Sequence, residues 1–213
     1  MANDTRTEKE KMLAGDLYYA FVPDLIAERL ACKELVYDFN NTRPSEAKKR
    51  DEIARKIFGQ FGTNSMIEPP MQVDLGANVY VGNNTFFNHN LVLLDICSIH
   101  VGDYVLVGPD VKFYGATHPI DPQIRLDGLE CGGPIRVGNN VWIGGGAILV
   151  AGVTIGDNSV IGAGSVVVKD IPANVVAVGN PCKVIKQLEP PTRPPKQHQP
   201  MAVFNDDDKT KSE

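Results

Sequence analysis

Apolar residues recur at every sixth position through the C-terminal half of the chain. Counting in sixes back from residue 167 gives an aliphatic residue at each step, often followed by glycine. Four positions after each aliphatic residue stands a small or β-branched one. The aliphatic set is Val137, Ile143, Leu149, Ile155, Ile161 and Val167, and the second set is Val141, Ala147, Val153, Ser159, Ser165 and Ile171.

The same rhythm runs earlier in two further blocks of the chain. One block holds Leu75, Val81, Phe87 and Leu93, and the other, shifted by two residues, holds Val101, Val107 and Phe113. A period of six excludes an α-helix, and the recurrent glycines exclude a simple alternating strand. The pattern predicts short strands joined by tight corners, with coils stacked about 4.8 Å apart as parallel sheets around an aliphatic interior. An ordinary sandwich of short strands is the alternative, but its turns do not keep a strict phase.

The pattern before residue 71 is different, because residues 1–70 are helical and charged in character. Residues 23–40 predict a helix with Pro23 in its first turn, and residues 45–61 predict a second helix with Gly59 near its end. Their apolar stripes are narrow, so we expect this segment to pack on a solenoid spanning residues 71–188.

One long stretch, residues 114–134, breaks the six-residue rhythm and carries His118. Long excursions from a regular scaffold are often functional. After residue 188, prolines and charges dominate, so residues 189–213 are expected to form a disordered tail.

Composition narrows the class of protein. Of 213 residues, 43% are hydrophobic and 22% are charged, and the formal net charge is −5, which argues against a nucleic-acid partner. No apolar run is long enough to span a membrane, and the charged N-terminus lacks the apolar region of a secretory signal. The four cysteines show no zinc-type spacing, so we expect reduced thiols and a cytoplasmic protein.

Several segments resemble the sugar O-acetyltransferases of the hexapeptide-repeat superfamily, such as the maltose, galactoside and nodulation-factor enzymes. Residues 133–185 are similar to the C-terminal half of that family, and residues 9–30 to its N-terminal helical segment. NTFFNHNLVLLD and YGATHPIDP resemble its active-site coil and loop. The resemblance implies a mainly β fold, a left-handed parallel β-helix, and a homotrimer with active sites at the subunit interfaces. It also implies acetyl-CoA as co-substrate.

Transfer of an acetyl group to a hydroxyl needs a base, donors for the oxyanion, and a groove for coenzyme A. His118 is the candidate base, since imidazole titrates near neutrality and THP matches the family's catalytic histidine motif. Asn88 matches its acceptor-binding asparagine and could orient the hydroxyl or donate to the oxyanion. Asp74 and Asp95 are candidate acceptor contacts, and Tyr19 could stack on a sugar ring. Relatives carry acidic residues where this chain has Ile96 and, near Tyr19, Ala20, which leaves the acceptor open.

The resemblance also assigns a coenzyme A groove along the C-terminal coils. The only tryptophan, Trp142, is expected to wall the thioester end, although packing against the loop is the alternative. The remaining expected contacts are small or hydrophobic residues for the pantetheine arm, Gly145, Ala163 and Val168, and basic residues for the phosphates, Lys169, Lys183 and Lys186.

No metal is expected, because His89, His100 and His118 lack the spacing of the zinc-binding β-helix carbonic anhydrases. Two alternatives to a sugar O-acetyltransferase stay open at this point. One is acetylation of an amino sugar or a xenobiotic, and the other is a non-catalytic β-helix scaffold.

Overall fold

The structure, a computed structural model, describes residues 4–195. Three helices precede the repeats: α1 (Glu8–Ala14), α2 (Pro23–Asn40) and α3 (Ala47–Ile57). The helix expected at residues 23–40 is confirmed, with Pro23 in its first turn. At its end, the Asn40 side chain exchanges two hydrogen bonds with the backbone of Met71 (2.8 and 2.9 Å), which ties the helix to the repeats.

The repeats wind through three parallel sheets in rotation, so each turn adds one strand to each face. The first face consists of Gln60–Phe61, Val79–Val81, Ile99–Val101, Ile135–Val137 and Thr154–Ile155. The second consists of Met66–Ile67, Phe86–Phe87, Leu106–Val107, Trp142–Ile143, Val160–Ile161, Val175–Val178 and the antiparallel edge strand Lys183–Gln187. The third consists of Met71–Val73, Leu91–Leu94, Lys112–Tyr114, Ile148–Val150 and Val166–Val167.

The six-residue period of the sequence matches the way in which these strands pair. The aliphatic positions 137 to 167 are at most 4% exposed, and each pairs with its counterpart on the next turn. On the first face, for example, Val101, Val137 and Ile155 stack in one line inside the prism. The predicted parallel solenoid is therefore confirmed.

Helix α3, which the sequence predicts over residues 45–61, is shorter than expected. It ends at Ile57 rather than continuing to residue 61, because Gln60–Phe61 pairs as a strand with Tyr80 and Val81. Hydrogen bonds from the backbone N–H groups of Gly59 and Gly62 to the next turn hold the chain in this position after the helix. The parallel strands thus begin at residue 60, N-terminal of the boundary that the sequence suggests at residue 71.

One corner of the prism is built on residues in the left-handed backbone region. Five asparagines there have φ between 54° and 58°, a region that asparagine tolerates better than most residues. Their side-chain amides hydrogen-bond from turn to turn at 2.7–3.0 Å. Tyr104 holds the same position (φ 59°) in the turn between the two runs of asparagine. The five asparagines of this corner are Asn64, Asn84, Asn140, Asn158 and Asn174.

The stretch that interrupts the rhythm is an ordered excursion from the end of the third face. It contains the strands Ala116–Thr117 and Leu129–Gly132 and helix α4 (Pro122–Leu126). The strand Tyr18–Tyr19 pairs antiparallel with Leu129 and Glu130, so the N-terminal segment and the excursion are joined by strand pairing.

None of the helices between residues 4 and 195 has the length and hydropathy of a bilayer-crossing segment. Residues 196–213, most of the expected disordered tail, lie outside the described residues.

The stacking predicts a sharp contrast between adjacent positions on one strand. Ile155 is fully buried in the interior, whereas the Thr154 side chain faces solvent. Ile155→Ala should lower the free energy of unfolding by about 2–5 kcal/mol through a cavity, and Thr154→Ala by less than about 0.5 kcal/mol. Chemical denaturation at one fixed protein concentration measures both, and equal losses would contradict the inward and outward assignment.

Candidate functional site

Three of the expected site residues line one corner, between the second and third faces. Asn88 follows the strand Phe86–Phe87, and Gly145 and Ala163 occupy the same corner on later turns. The backbone N–H of Gly164 donates to Gly145 O (2.9 Å), which stacks the last two turns directly. The structure therefore places Asn88, Gly145 and Ala163 at a single corner, called here the second–third corner.

The second–third corner is smooth because its turns lie in contact with one another. A Cβ on Gly144 would lie 2.5 Å from the backbone nitrogen of Ala163, a distance that side chains do not tolerate. The turns at this corner present half-buried or exposed backbone and small side chains. Such a surface suits a narrow amide-containing chain that can hydrogen-bond with peptide groups.

The second face carries Trp142 and two of the expected lysines on its outer side. Trp142 is opposite Val160, Val160 is opposite Val176, and Val176 is opposite Lys186. Lys183 is opposite Val178 on the same strand pair. Three strand spacings separate the indole from Lys186, about 14 Å. Trp142 is 56% exposed in the single chain.

The other expected residues belong to the corner between the third and first faces, called the third–first corner. Asp74, Asp95 and the pair Val168 and Lys169 each follow a strand of the third face. The excursion leaves from this corner, and His118 follows its first strand with an exposed side chain. Within residues 4–195, no side chain or backbone group hydrogen-bonds the imidazole.

Within one chain, His118 and Asn88 therefore follow strands that end at different corners of the prism. The whole third face lies between their two corners. If both act on one substrate, the site must combine the second–third corner of one copy with the third–first corner of another.

Asp95 lies in a different environment from the one that its sequence position suggested. Its side chain is fully buried, and Oδ1 accepts a hydrogen bond from the Leu75 N–H at 2.9 Å. Burial raises the pKa of Asp95 to about 6, against the opposing effect of that hydrogen bond. A carboxylate without exposed surface cannot touch an acceptor directly, so the expectation of a direct contact by Asp95 is corrected.

Asp74 is half-buried beside it and can still meet a ligand. Burial raises the pKa of Asp74, while Lys33 and Arg29 on α2 act in the opposite direction. The carboxylate therefore sits in a partly dry position with two cations nearby, which suits recognition of hydroxyl donors.

The sequence predicts a contact by Tyr19, and the structure adds a second pair of residues next to it, Tyr18 and Glu130. Tyr19 is 50% exposed, whereas Tyr18 is fully buried and donates from its hydroxyl to Glu130 Oε2 at 3.2 Å. Burial and the Glu130 carboxylate raise the pKa of Tyr18. The pair joins residues 112 positions apart, so no local signal in the sequence could have found it.

Two other histidines have structural partners. His89 Nδ1 lies 2.6 Å from Pro69 O, and the His100 ring stacks on Tyr80 with centroids 4.6 Å apart. Among the described residues, no group of three or more histidine, cysteine or acidic side chains is arranged to hold a metal ion.

Comparison with known proteins shows which family has this sequence and fold. Residues 11–62 match the family model described as "Maltose acetyltransferase hexapeptide capping motif", and residues 134–169 match "Bacterial transferase hexapeptide (six repeats)". The galactoside O-acetyltransferase of Escherichia coli (strain K12) is 44% identical over 84% of this chain and 88% of its own length.

Solved structures show the same fold. A maltose O-acetyltransferase from Clostridium difficile 630 superposes with a TM-score of 0.87 at 52% identity, covering 88% of this chain and all of its own. A galactoside acetyltransferase in complex with coenzyme A gives 0.84 at 42% identity, covering 87% and 92%. The left-handed β-helix fold class implied by the resemblance is thereby confirmed, and the chain belongs to the hexapeptide-repeat acetyltransferases of the maltose and galactoside O-acetyltransferase family.

Proposed function

We propose that this acetyltransferase moves the acetyl group of acetyl-CoA to a hydroxyl of a sugar or sugar-like acceptor. The observation that carries the proposal is the second–third corner. It aligns Asn88 with a smooth column of small residues and sets Trp142 and two lysines beside that column. Relatives named as maltose and galactoside O-acetyltransferases support the acceptor class.

Coenzyme A would lie along the second–third corner. The backbone around Gly145 and Ala163 would meet the amides of the pantetheine arm. Trp142 would wall the thioester end, and Lys183 and Lys186 would pair with the nucleotide phosphates. Val168 and Lys169 lie at the other corner, so they would reach the cofactor from a neighbouring copy.

The acetyl transfer proceeds directly, without a covalent enzyme intermediate. His118 accepts the proton of the acceptor hydroxyl while the oxygen attacks the thioester carbonyl. Asn88 orients the hydroxyl or donates to the oxyanion of the tetrahedral intermediate. The C–S bond then breaks, and the imidazolium returns its proton to the leaving thiolate of coenzyme A. Asp74 accepts a hydrogen bond from another hydroxyl of the acceptor, and Tyr19 offers a ring face.

We propose a homotrimer, in which each site lies between two copies. Large apolar side chains are exposed on the second face, Leu106 at 52% and Trp142 at 56%, and on the excursion, Ile120 at 97% and Leu126 at 80%. Exposed apolar groups of this size are typical of surfaces that another chain covers. The four cysteines are free, and we place the protein in the cytoplasm, where thiols stay reduced.

Thiol release from acetyl-CoA tests the activity and its acceptor. The panel is maltose, glucose, methyl β-galactoside, glucosamine and chloramphenicol, with release followed by a thiol reagent. We expect thiol release to be fastest with a hydroxyl sugar and the product to carry an O-acetyl ester by mass spectrometry. Faster acetylation of the glucosamine amine would indicate the N-acetyltransferase alternative, and coenzyme A binding without release on any compound would indicate a scaffold.

His118 has its own prediction. His118→Ala should lower kcat by about 10²–10⁴-fold, because proton transfer by a positioned side chain contributes that much. The matched control is His100→Ala, which removes an imidazole from the first face, and its kcat should stay within about twofold of the wild type. An unchanged kcat in His118→Ala would remove His118 from the role of base.

A further inference from the structure

The turn at residues 74–78 is attached to the following turn by three hydrogen bonds that converge around Asp95. Asp74 N donates to Leu93 O (3.2 Å), Leu75 N donates to Asp95 Oδ1 (2.9 Å), and Asn78 Nδ2 donates to Asp95 O (2.7 Å). Asp74 is the first residue of this turn, so its position depends on how firmly the turn is held.

The Asp95 carboxylate is only half satisfied. Its side chain is fully buried, and Oδ2 has no hydrogen-bond partner among residues 4–195. A buried carboxylate with one orphan oxygen is a costly group. A neutral asparagine in its place would bury no charge but would accept only a weaker, uncharged bond from Leu75 N, so a carboxylate here holds the turn more firmly at a cost in stability.

We propose that Asp95 is a positioning residue for the acceptor, holding the turn at residues 74–78 in the orientation that presents Asp74. The proposal rests on the proposed function, because it assumes that Asp74 meets the acceptor. Asp95 acts through the turn and does not touch the reacting atoms.

The charged groups around Asp74 and Asp95 come from three elements. Asp74 lies on the turn that adjoins Asp95, Lys33 and Arg29 come from α2 and act on Asp74, and Glu130 comes from the excursion, where the buried Tyr18 binds it. The thiol of Cys32 on α2 also faces the two aspartates, which together with burial raise its pKa to about 12. The cations are directed at Asp74 rather than at Asp95, so Asp95 has no ion-pair partner among them.

This environment gives fold stability and acceptor binding opposite pH dependences. Since burial raises the pKa of Asp95 to about 6, the protonated form favours the fold, and this contribution is lost as pH rises through 6. Acceptor binding uses the ionised form and therefore improves over the same range. If only that form holds the turn, the acceptor KM should rise about tenfold from pH 7 to pH 5.

Asp95→Asn separates a positioning role from a structural one. With the panel compound of highest kcat as acceptor, the variant should have an acceptor KM about tenfold higher at pH 7, as for one lost charge-assisted hydrogen bond. That KM should no longer change between pH 5 and pH 7, and the KM for acetyl-CoA should stay within twofold. The melting temperature of the variant at pH 7 should be several degrees higher than that of the wild type.

The matched control is Asp103→Asn. Asp103 Oδ1 also accepts a bond from the backbone of the preceding turn, Asn83 N at 2.7 Å, but at a more exposed corner. This variant should keep the wild-type acceptor KM and its pH dependence. A wild-type KM profile in Asp95→Asn would overturn the proposal.

A measurement without acceptor keeps this test separate from the proposed function. In Asp95→Ala, the amide of Leu75 should exchange with deuterium at least tenfold faster than in the wild type, and in Asp103→Ala it should not. Unchanged exchange in Asp95→Ala would overturn the proposal. If no panel compound is acetylated, the proposed function fails, while the exchange still decides whether Asp95 holds the turn.

Discussion

The structure depends on one constraint, which is that every turn of the chain must lie in register on the turn before it. An aliphatic side chain from each strand fills the interior, and burial of each contributes about 1.5–3 kcal/mol. Because strands of the parallel sheets are fixed about 4.8 Å apart, a residue at a corner lies one spacing from its counterpart on the next turn. The corners therefore become columns, and the chemistry of the protein is distributed along those columns.

Two columns carry different parts of the site. The second–third corner is smooth and extended, as a groove for a long cofactor requires, and Asn88 stands at one level of it. The third–first corner carries the excursion with His118 and the turn with Asp74. Because the third face separates these corners, we propose that the catalytic constellation comes from two copies. An oligomer is thus a requirement of the proposed chemistry.

Much of the fold could be predicted from the sequence, because each turn repeats the same local rule and errors do not accumulate. Helix α3 shows where local rules fail, since pairing with Tyr80 and Val81 overrides helical propensity at residues 60–61. The site was harder to predict. The six-residue period predicts which residues of the site stack at each corner. It does not predict the burial of Asp95, because the N-terminal helices that cover this corner lie outside the repeats. The partnership of Tyr18 with Glu130 arises from antiparallel pairing across 112 positions. Such contacts depend on long-range packing and leave no periodic signal.

The central claim is that His118 of one copy works with Asn88 of another, and subunit complementation tests it most directly. Two variants, His118→Ala and Asn88→Ala, are co-expressed with different affinity tags, and the doubly tagged hybrids are purified. In every doubly tagged trimer, whichever variant is present twice, about a third of the sites would combine an intact His118 from one copy with an intact Asn88 from the next. The account predicts that thiol release in such hybrids recovers to about that fraction of the wild-type rate. Activity that stays at the level of the separate variants would contradict it.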